Sequence, residues 1–293
     1  MSTEPAADYV RPVTAAFPIA PSRKRVGGFE LHRPTSLDSL CRLWEQTAVT
    51  SVIHAGGIDL VSRMKRGERI ASMIAIDRIP ELSAIVVTAD LIRIGAAVRH
   101  REIETNRLLL EALPEFCGYV AGLGNIRIRM QGTIGGNLMA GQPAYEMSAL
   151  LAVLDARLTF LEPGSCQRRI LPVREWLTQG DRFNRQKLLM WIEIPRRARR
   201  LIWTRDFRPN LTFVMGAEFS GSQLRGISAI AGSATETPVA DFMLGASEDE
   251  LAAVTASWRV GLPEIVTPFG PSVGYWKQVL PTVFQRLLHR ILP

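Results

Sequence analysis

Cysteine and histidine are scarce in this chain of 293 residues, and that scarcity excludes most inorganic chemistry. The three cysteines, Cys41, Cys117 and Cys166, lie far apart and form no Cys-x-x-Cys pair. An iron–sulfur cluster or a structural zinc needs ligands grouped at short spacings, so neither has a place here. Each cysteine reads as a buried or incidental thiol. The four histidines, His32, His54, His100 and His289, are equally dispersed. A redox centre on this chain is therefore organic, or the metal sits on another polypeptide. No Gly-x-Ser-x-Gly elbow occurs either. No residue is assigned a catalytic or metal-binding role.

Long apolar runs are also missing. The first 25 residues, ending in Arg23, Lys24 and Arg25, hold only short apolar stretches and no signal-peptide core. Nothing elsewhere reaches membrane length. The expectation is a cytoplasmic chain without a membrane span. The net charge of +7 invites a nucleic-acid reading, but its arginines are mostly scattered. The small clusters at Arg168–Arg169 and Arg196–Arg200 carry no interleaved aromatics and no nucleic-acid module, so no nucleic-acid partner is expected. An acidic protein partner, or solubility alone, accounts for the charge equally well. With 47% hydrophobic and 22% charged residues, the composition is globular, and the length suits one large domain or two ordinary ones.

What the chain does have, beyond Gly27–Gly28, is two glycine pairs about eighty residues apart. Ala55–Gly56–Gly57–Ile58–Asp59–Leu60 follows the strand-like Ser51–Val52–Ile53–His54 and precedes a helical turn. Its amides can converge on a phosphate at the positive end of that helix, or the glycines can simply make a tight turn. The Gly-x-Gly-x-x-Gly spacing of a dinucleotide fold is absent. Thr133–Ile134–Gly135–Gly136–Asn137 is the stronger element. A threonine hydroxyl can donate to a phosphate oxygen, and glycines allow close backbone approach. Gly122, Gly124 and Gly132 extend it into a backbone-rich wall. Arg127 and Arg129 alternate with Ile126 and Ile128, so one arginine is expected toward a diphosphate and the isoleucines toward the core. Pro143 fixes a turn, and Glu146 either accepts from a ribose hydroxyl or favours the first turn of a helix from 147. Two such loops suggest one dinucleotide held between them.

The periodicity predicts a mixed α+β order. Short strands are expected at 29–31, 51–54 and 73–76, a hairpin at 84–94, and helices over 37–49, 100–120 and 147–154. Residues 121–137 read as a loop, 157–161 and 168–171 as pairing strands, and 189–195 as a closing strand. A basic connector follows Pro195, then strands at 211–219 and 224–231, a helix including Val239–Leu244, a helix at 247–258 and an amphipathic one at 272–291. The division is an irregular arm 1–27, a domain 28–195 (subdomains about 28–85 and 86–195) and a C-terminal domain 196–293.

In this order the glycine motifs resemble the FAD-binding medium subunit of the molybdenum hydroxylases, the group of xanthine dehydrogenase, carbon monoxide dehydrogenase and the N-heteroaromatic dehydrogenases. Leu91–Ala96, Ile128–Arg129, Pro143–Glu146, Ala149–Ala156 and Ile192–Pro195 continue the likeness from about Phe29 to the C-terminus. The resemblance implies a two-subdomain FAD-binding domain of the vanillyl-alcohol oxidase type, followed by a small α+β domain with an antiparallel sheet. It implies FAD on this chain, with Ala55, Gly56, Gly57, Ile58, Asp59, Leu60, Gly124, Arg129, Thr133, Ile134, Gly135, Gly136, Asn137, Pro143 and Glu146 around it. It further implies a large molybdopterin-binding subunit and a small subunit with two [2Fe–2S] clusters, in an (αβγ)2 assembly. Electrons would pass from those clusters through FAD to an external acceptor. Ile58, Met130 and Gln142 replace the hydroxyl, asparagine and acidic or hydroxyl residues usual in the family. Two alternatives stay open: an assembly subunit that binds FAD weakly or not at all, and a stand-alone FAD oxidoreductase.

Overall fold

Three sheets carry the described part of the chain. The computed structural model describes residues 26–47, 51–141, 145–179, 187–205, 211–233, 240–244 and 273–292. The arm up to residue 25, Pro143 and the expected helix at 247–258 lie outside that set.

The first sheet is parallel, in the order β1 (Glu30–His32), β3 (Ser72–Ala75), β2 (Val52–His54). Parallel neighbours need crossovers, and here they are α1 (Leu37–Thr47) and α2 (Ile58–Lys65). Leu40 and Trp44, four apart on α1, are buried against Ile74 and Ile76. Each such side chain contributes about 1.5–3 kcal/mol by leaving water. Ser36 and Ser39 bond reciprocally at the start of α1, through both the Ser39 amide and the Ser36 amide.

The second sheet is antiparallel, in the order β4 (Ile85–Val87), β5 (Leu91–Gly95), β8 (Leu188–Pro195), β6 (Arg157–Leu161), β7 (Arg168–Pro172). The pairing expected of 157–161 with 168–171 is observed, Thr159 opposite Ile170. Six short helices fill the chain between β5 and β6: α3 (His100–Thr105), α4 (Arg107–Ala112), α5 (Pro114–Ala121), α6 (Ile126–Gln131), α7 (Ile134–Met139) and α8 (Met147–Val153). Pro114 stands at the start of α5, where its missing N–H costs nothing. A further helix, α9 (Val173–Thr178), follows β7.

Residues 121–137 are therefore not the loop expected. Asn125 and Thr133 cap two helices there, accepting from the amides of Ile128 and Gly136. In α6 the turn is 100° per residue, so Ile126 and Ile128 do not share an inward face. They are 45% and 37% exposed, and Met130 is 57% exposed.

The third sheet is antiparallel, in the order β12 (Ala240–Leu244), β11 (Gln223–Ser233), β10 (Leu211–Ser220), β9 (Arg199–Arg205). The basic connector after Pro195 is the edge strand β9, and the helix expected over Val239–Leu244 is the strand β12. In both places antiparallel pairing with the neighbouring strand of the chain, β10 or β11, overrides a weak local signal. Period-two alternation splits β10: Phe213, Met215 and Ala217 face the last helix, α10 (Val273–Ile291). Val214 faces the core that includes α8, and a Cβ on Gly216 would meet the Val153 side chain. Phe284 closes the α10 side, its ring 6.2 Å from that of Phe213.

Cys41 on α1 and Cys166 in the β6–β7 turn form a disulfide, which corrects the reading of every cysteine as a thiol. The bond spans 125 residues, and no local spacing announces it. Cys117 is a free buried thiol, as expected. Burial raises its pKa to about 11.

Candidate functional site

A cavity of about 950 Å³ opens between the parallel sheet, the α3–α8 helices and β9. Its size lies at the upper end for small-molecule sites. On one wall β2 delivers the chain into the first glycine pair. Gly57 caps α2 with φ 74°, a left-handed conformation natural to glycine. No side chain caps this end, and the positive end of the α2 dipole faces the cavity that Gly57, Ile58 and Asp59 line. Gly56 is required for a different reason: a Cβ there would collide with the carbonyl oxygen of Gln131. The two expected loops thus touch through backbone, although about seventy-five residues separate them.

On the opposite wall the second glycine pair acts differently. The Ile134 amide donates to Val98, Gly135 to Ala96 and Gly136 to the Thr133 hydroxyl. Those three amides are thus already bonded within the protein. Gly135 is glycine because its Cα packs on Ala96, whose Cβ an added methyl would meet. The Thr133 oxygen accepts from Gly136, which leaves its proton to donate elsewhere. Asn137 also lines the cavity.

Of the expected residues, Ala55, Gly56, Gly57, Ile58, Asp59, Leu60, Gly124, Thr133, Gly135, Gly136, Asn137 and Glu146 line this one cavity. Ile134 does not; it is buried in the main core. Arg129 does not line it either. Its guanidinium donates to Glu104 on α3 at 3.0 Å and to the carbonyls of Leu123 and Gly124, holding the second loop from behind. Asp59 pairs along α2 with Arg63 at 3.6 Å.

The sequence reading did not single out His54, His100, Tyr145, Lys187 or Arg205 as cavity residues. Arg205, at the end of β9, enters from the third sheet. Its Nε donates to Glu146 at 2.6 Å, its Nη atoms to the Tyr119 carbonyl, and its guanidinium lies 4.3 Å from the Tyr119 ring centre. The Tyr119 hydroxyl also donates to the Glu146 carboxylate, at 3.3 Å. A Cβ on Gly122 would strike the same guanidinium, so that glycine makes room for an arginine. Burial raises the Glu146 pKa, and Arg205 opposes the rise.

His100 starts α3, and its amide donates to the Gly132 carbonyl. Its imidazole is 2% exposed, and its Nδ1 finds no hydrogen-bond partner. Burial first, and Arg129 second, lower its pKa to about 4 from 6.5. Between those two pH values the unfolded chain binds a proton that folded His100 refuses. Stability is therefore complete above pH 6.5 and falls as pH drops toward 4, by a total on the order of 3 kcal/mol. His100→Gln is expected to flatten the acid side of a melting-temperature profile. An acid side identical to the parent's would remove His100 from the account.

Among the described residues no group of three potential metal ligands occurs, and no helix is long and apolar enough to cross a membrane. The family described as "FAD binding domain in molybdopterin dehydrogenase" matches residues 27–197. The beta subunit of caffeine dehydrogenase from Pseudomonas sp. (strain CBB1) is 29% identical over 145 residues, 49% of each chain. The alpha subunit of the 6-hydroxypseudooxynicotine dehydrogenase complex from Paenarthrobacter nicotinovorans is 33% identical over 125 residues, 42% of each chain. The chain spans about half the length of the curated relatives it matches. Among solved structures, quinoline 2-oxidoreductase from Pseudomonas putida 86 superposes with a TM-score of 0.79 at 19% identity, covering 91% of this chain and 98% of the other. Carbon monoxide dehydrogenase from Hydrogenophaga pseudoflava gives 0.76 at 20% identity, over 90% and 96%. These last two likenesses establish a shared fold.

Proposed function

The chain belongs to the FAD-binding medium-subunit family of the molybdopterin dehydrogenases, and from that premise we propose that it holds FAD in the cavity between the two glycine loops and relays electrons through it. The observation that carries this reading is the convergence of an uncapped α2 N-terminus and the Thr133 hydroxyl on one cavity. The residues fit a dinucleotide. The α2 amides and their positive dipole end suit a diphosphate, Thr133 and Asn137 offer further donors, and Asp59 and Tyr145 offer polar contacts for ribose or adenine. The flavin supplies the electron transfer when bound, and the protein supplies position and electrostatics. Glu146 and Arg205 fix the far wall, and together they are nearly neutral toward whatever lies beside them.

We assign residues 28–195 to the FAD-binding domain and 196–293 to a C-terminal domain. The electron source in this reading is a small iron–sulfur subunit, fed by a large molybdopterin-binding subunit, in a cytoplasmic (αβγ)2 complex. The exposed Arg286, His289 and Arg290 on α10 offer one surface for that assembly. The Cys41–Cys166 bond is the feature least typical of a cytoplasmic chain. A second reading, an assembly subunit with little FAD, draws on one observation: Ile58 supplies no hydroxyl where α2 begins.

The test is the FAD content of the natively purified complex, measured after acid extraction. Near-stoichiometric FAD, bleached by a substrate of the complex, is the expected result. Near-zero FAD that added cofactor does not restore would leave the assembly role.

A further inference from the structure

Cys41 and Cys166 bind together the two halves that wall the cavity. Cys41 belongs to α1, which packs on the parallel sheet carrying His54 and the first glycine pair. Cys166 belongs to the β6–β7 turn of the antiparallel sheet, whose β8 strand supplies Leu188 and Leu189 to the cavity. Their Cα atoms are 6.0 Å apart, within the normal reach of a disulfide. Around the bond lies an apolar cluster drawn from both halves, including Leu40 and Trp44 from one and Leu161, Leu188 and Met190 from the other. That cluster keeps the halves associated without the bond, but it tolerates sliding that a covalent link does not.

We propose that this disulfide is a redox-sensitive clamp across the cofactor cavity, and that its reduction loosens FAD. The proposal rests on FAD being the occupant. Both cysteines are half-buried, so a small dithiol can reach them. A thiolate of the dithiol attacks one sulfur and breaks the Cys41–Cys166 bond. Its second thiol then closes the reagent's own disulfide, leaving two electrons and two protons on the cysteine pair. Cys117 takes no part, because it is buried and its thiol stays protonated. With the clamp open the two walls occupy the binding geometry for a smaller fraction of the time, and apparent affinity falls by that fraction.

The experiment uses the full chain with FAD and dithiothreitol as probes. Thiol titration in denaturant without reductant is expected to find one thiol, that of Cys117, and three after reduction. Reduction is expected to lower the melting temperature by on the order of 5–15 °C. It should also weaken FAD binding by about three- to tenfold, read by flavin fluorescence. The double variant Cys41→Ser, Cys166→Ser should reproduce both changes and no longer respond to dithiothreitol. Three thiols before reduction, or an FAD affinity unmoved by reduction of a confirmed bond, would overturn the proposal. A chain that melts lower on reduction yet binds no FAD when oxidised would overturn the FAD reading and the switch with it, leaving a purely structural clamp.

Discussion

Gly56→Ala is expected to abolish most FAD binding, weakening it on the order of a hundredfold, while the chain still folds. The added Cβ has no space, because the Gln131 carbonyl and the Gly132 Cα already occupy its position. Backbone cannot rotate away as a flexible side chain does, so the α2 N-terminus must lift from the second loop. Charge-assisted hydrogen bonds are worth about 1.5–3 kcal/mol each, and losing two of them is enough for the factor given. Isothermal titration with FAD measures the affinity, and circular dichroism verifies the fold. Gly67→Ala is a suitable control, since that glycine has a positive φ of 105°, which strains any added side chain, but no neighbour within 4 Å of its Cβ position. Equal losses in the two variants would mean that general strain, not loop contact, governs binding.

Arg205→Met should destabilise the chain by about 3–5 kcal/mol at neutral pH, the usual cost of removing one partner from a buried pair. Glu146 is the reason: its side chain is 5% exposed, and Arg205 is its charged partner at 2.6 Å. Burial already raises the Glu146 pKa, so removing the arginine raises it further. A carboxyl whose folded pKa exceeds its unfolded value binds protons preferentially when folded, and stability falls as pH rises through the folded value. The gap between variant and parent should therefore be widest at neutral pH and shrink toward pH 4.5, the ordinary carboxyl value. Melting temperatures across that range provide the measurement. Adding Glu146→Gln should recover part of the loss, because the buried charge is gone. A constant gap across pH would mean that Arg205 acts through packing on Tyr119 alone.

Both predictions concern contacts that join distant parts of the chain, and that distance decides how much the sequence could disclose. The strands at 51–54 and 157–161 and the helix from 147 were legible, because two- and 3.6-residue periods are written locally. The glycine pairs were legible as places where backbone must come close. Their separate tasks were not. The same two letters cap α2 in a left-handed conformation at Gly57 but seat α7 against Ala96 at Gly135. Alternation points one of Arg127 and Arg129 toward a diphosphate, whereas a helical turn holds the Arg129 guanidinium on Glu104.

The sequence by itself determined the mixed α+β class, the approximate positions of most elements and the family, since composition, period and ordered motifs are properties of neighbours along the chain. Only the tertiary structure decided that the two loops touch at Gly56 and Gln131, that Arg205 seals Glu146, and that Cys41 bonds Cys166. These pairings are 59 to 125 residues long, and their energy depends on desolvation, steric fit and reach after the chain has closed. No local pattern records such quantities, because each arises only where two remote segments exclude water from the same place.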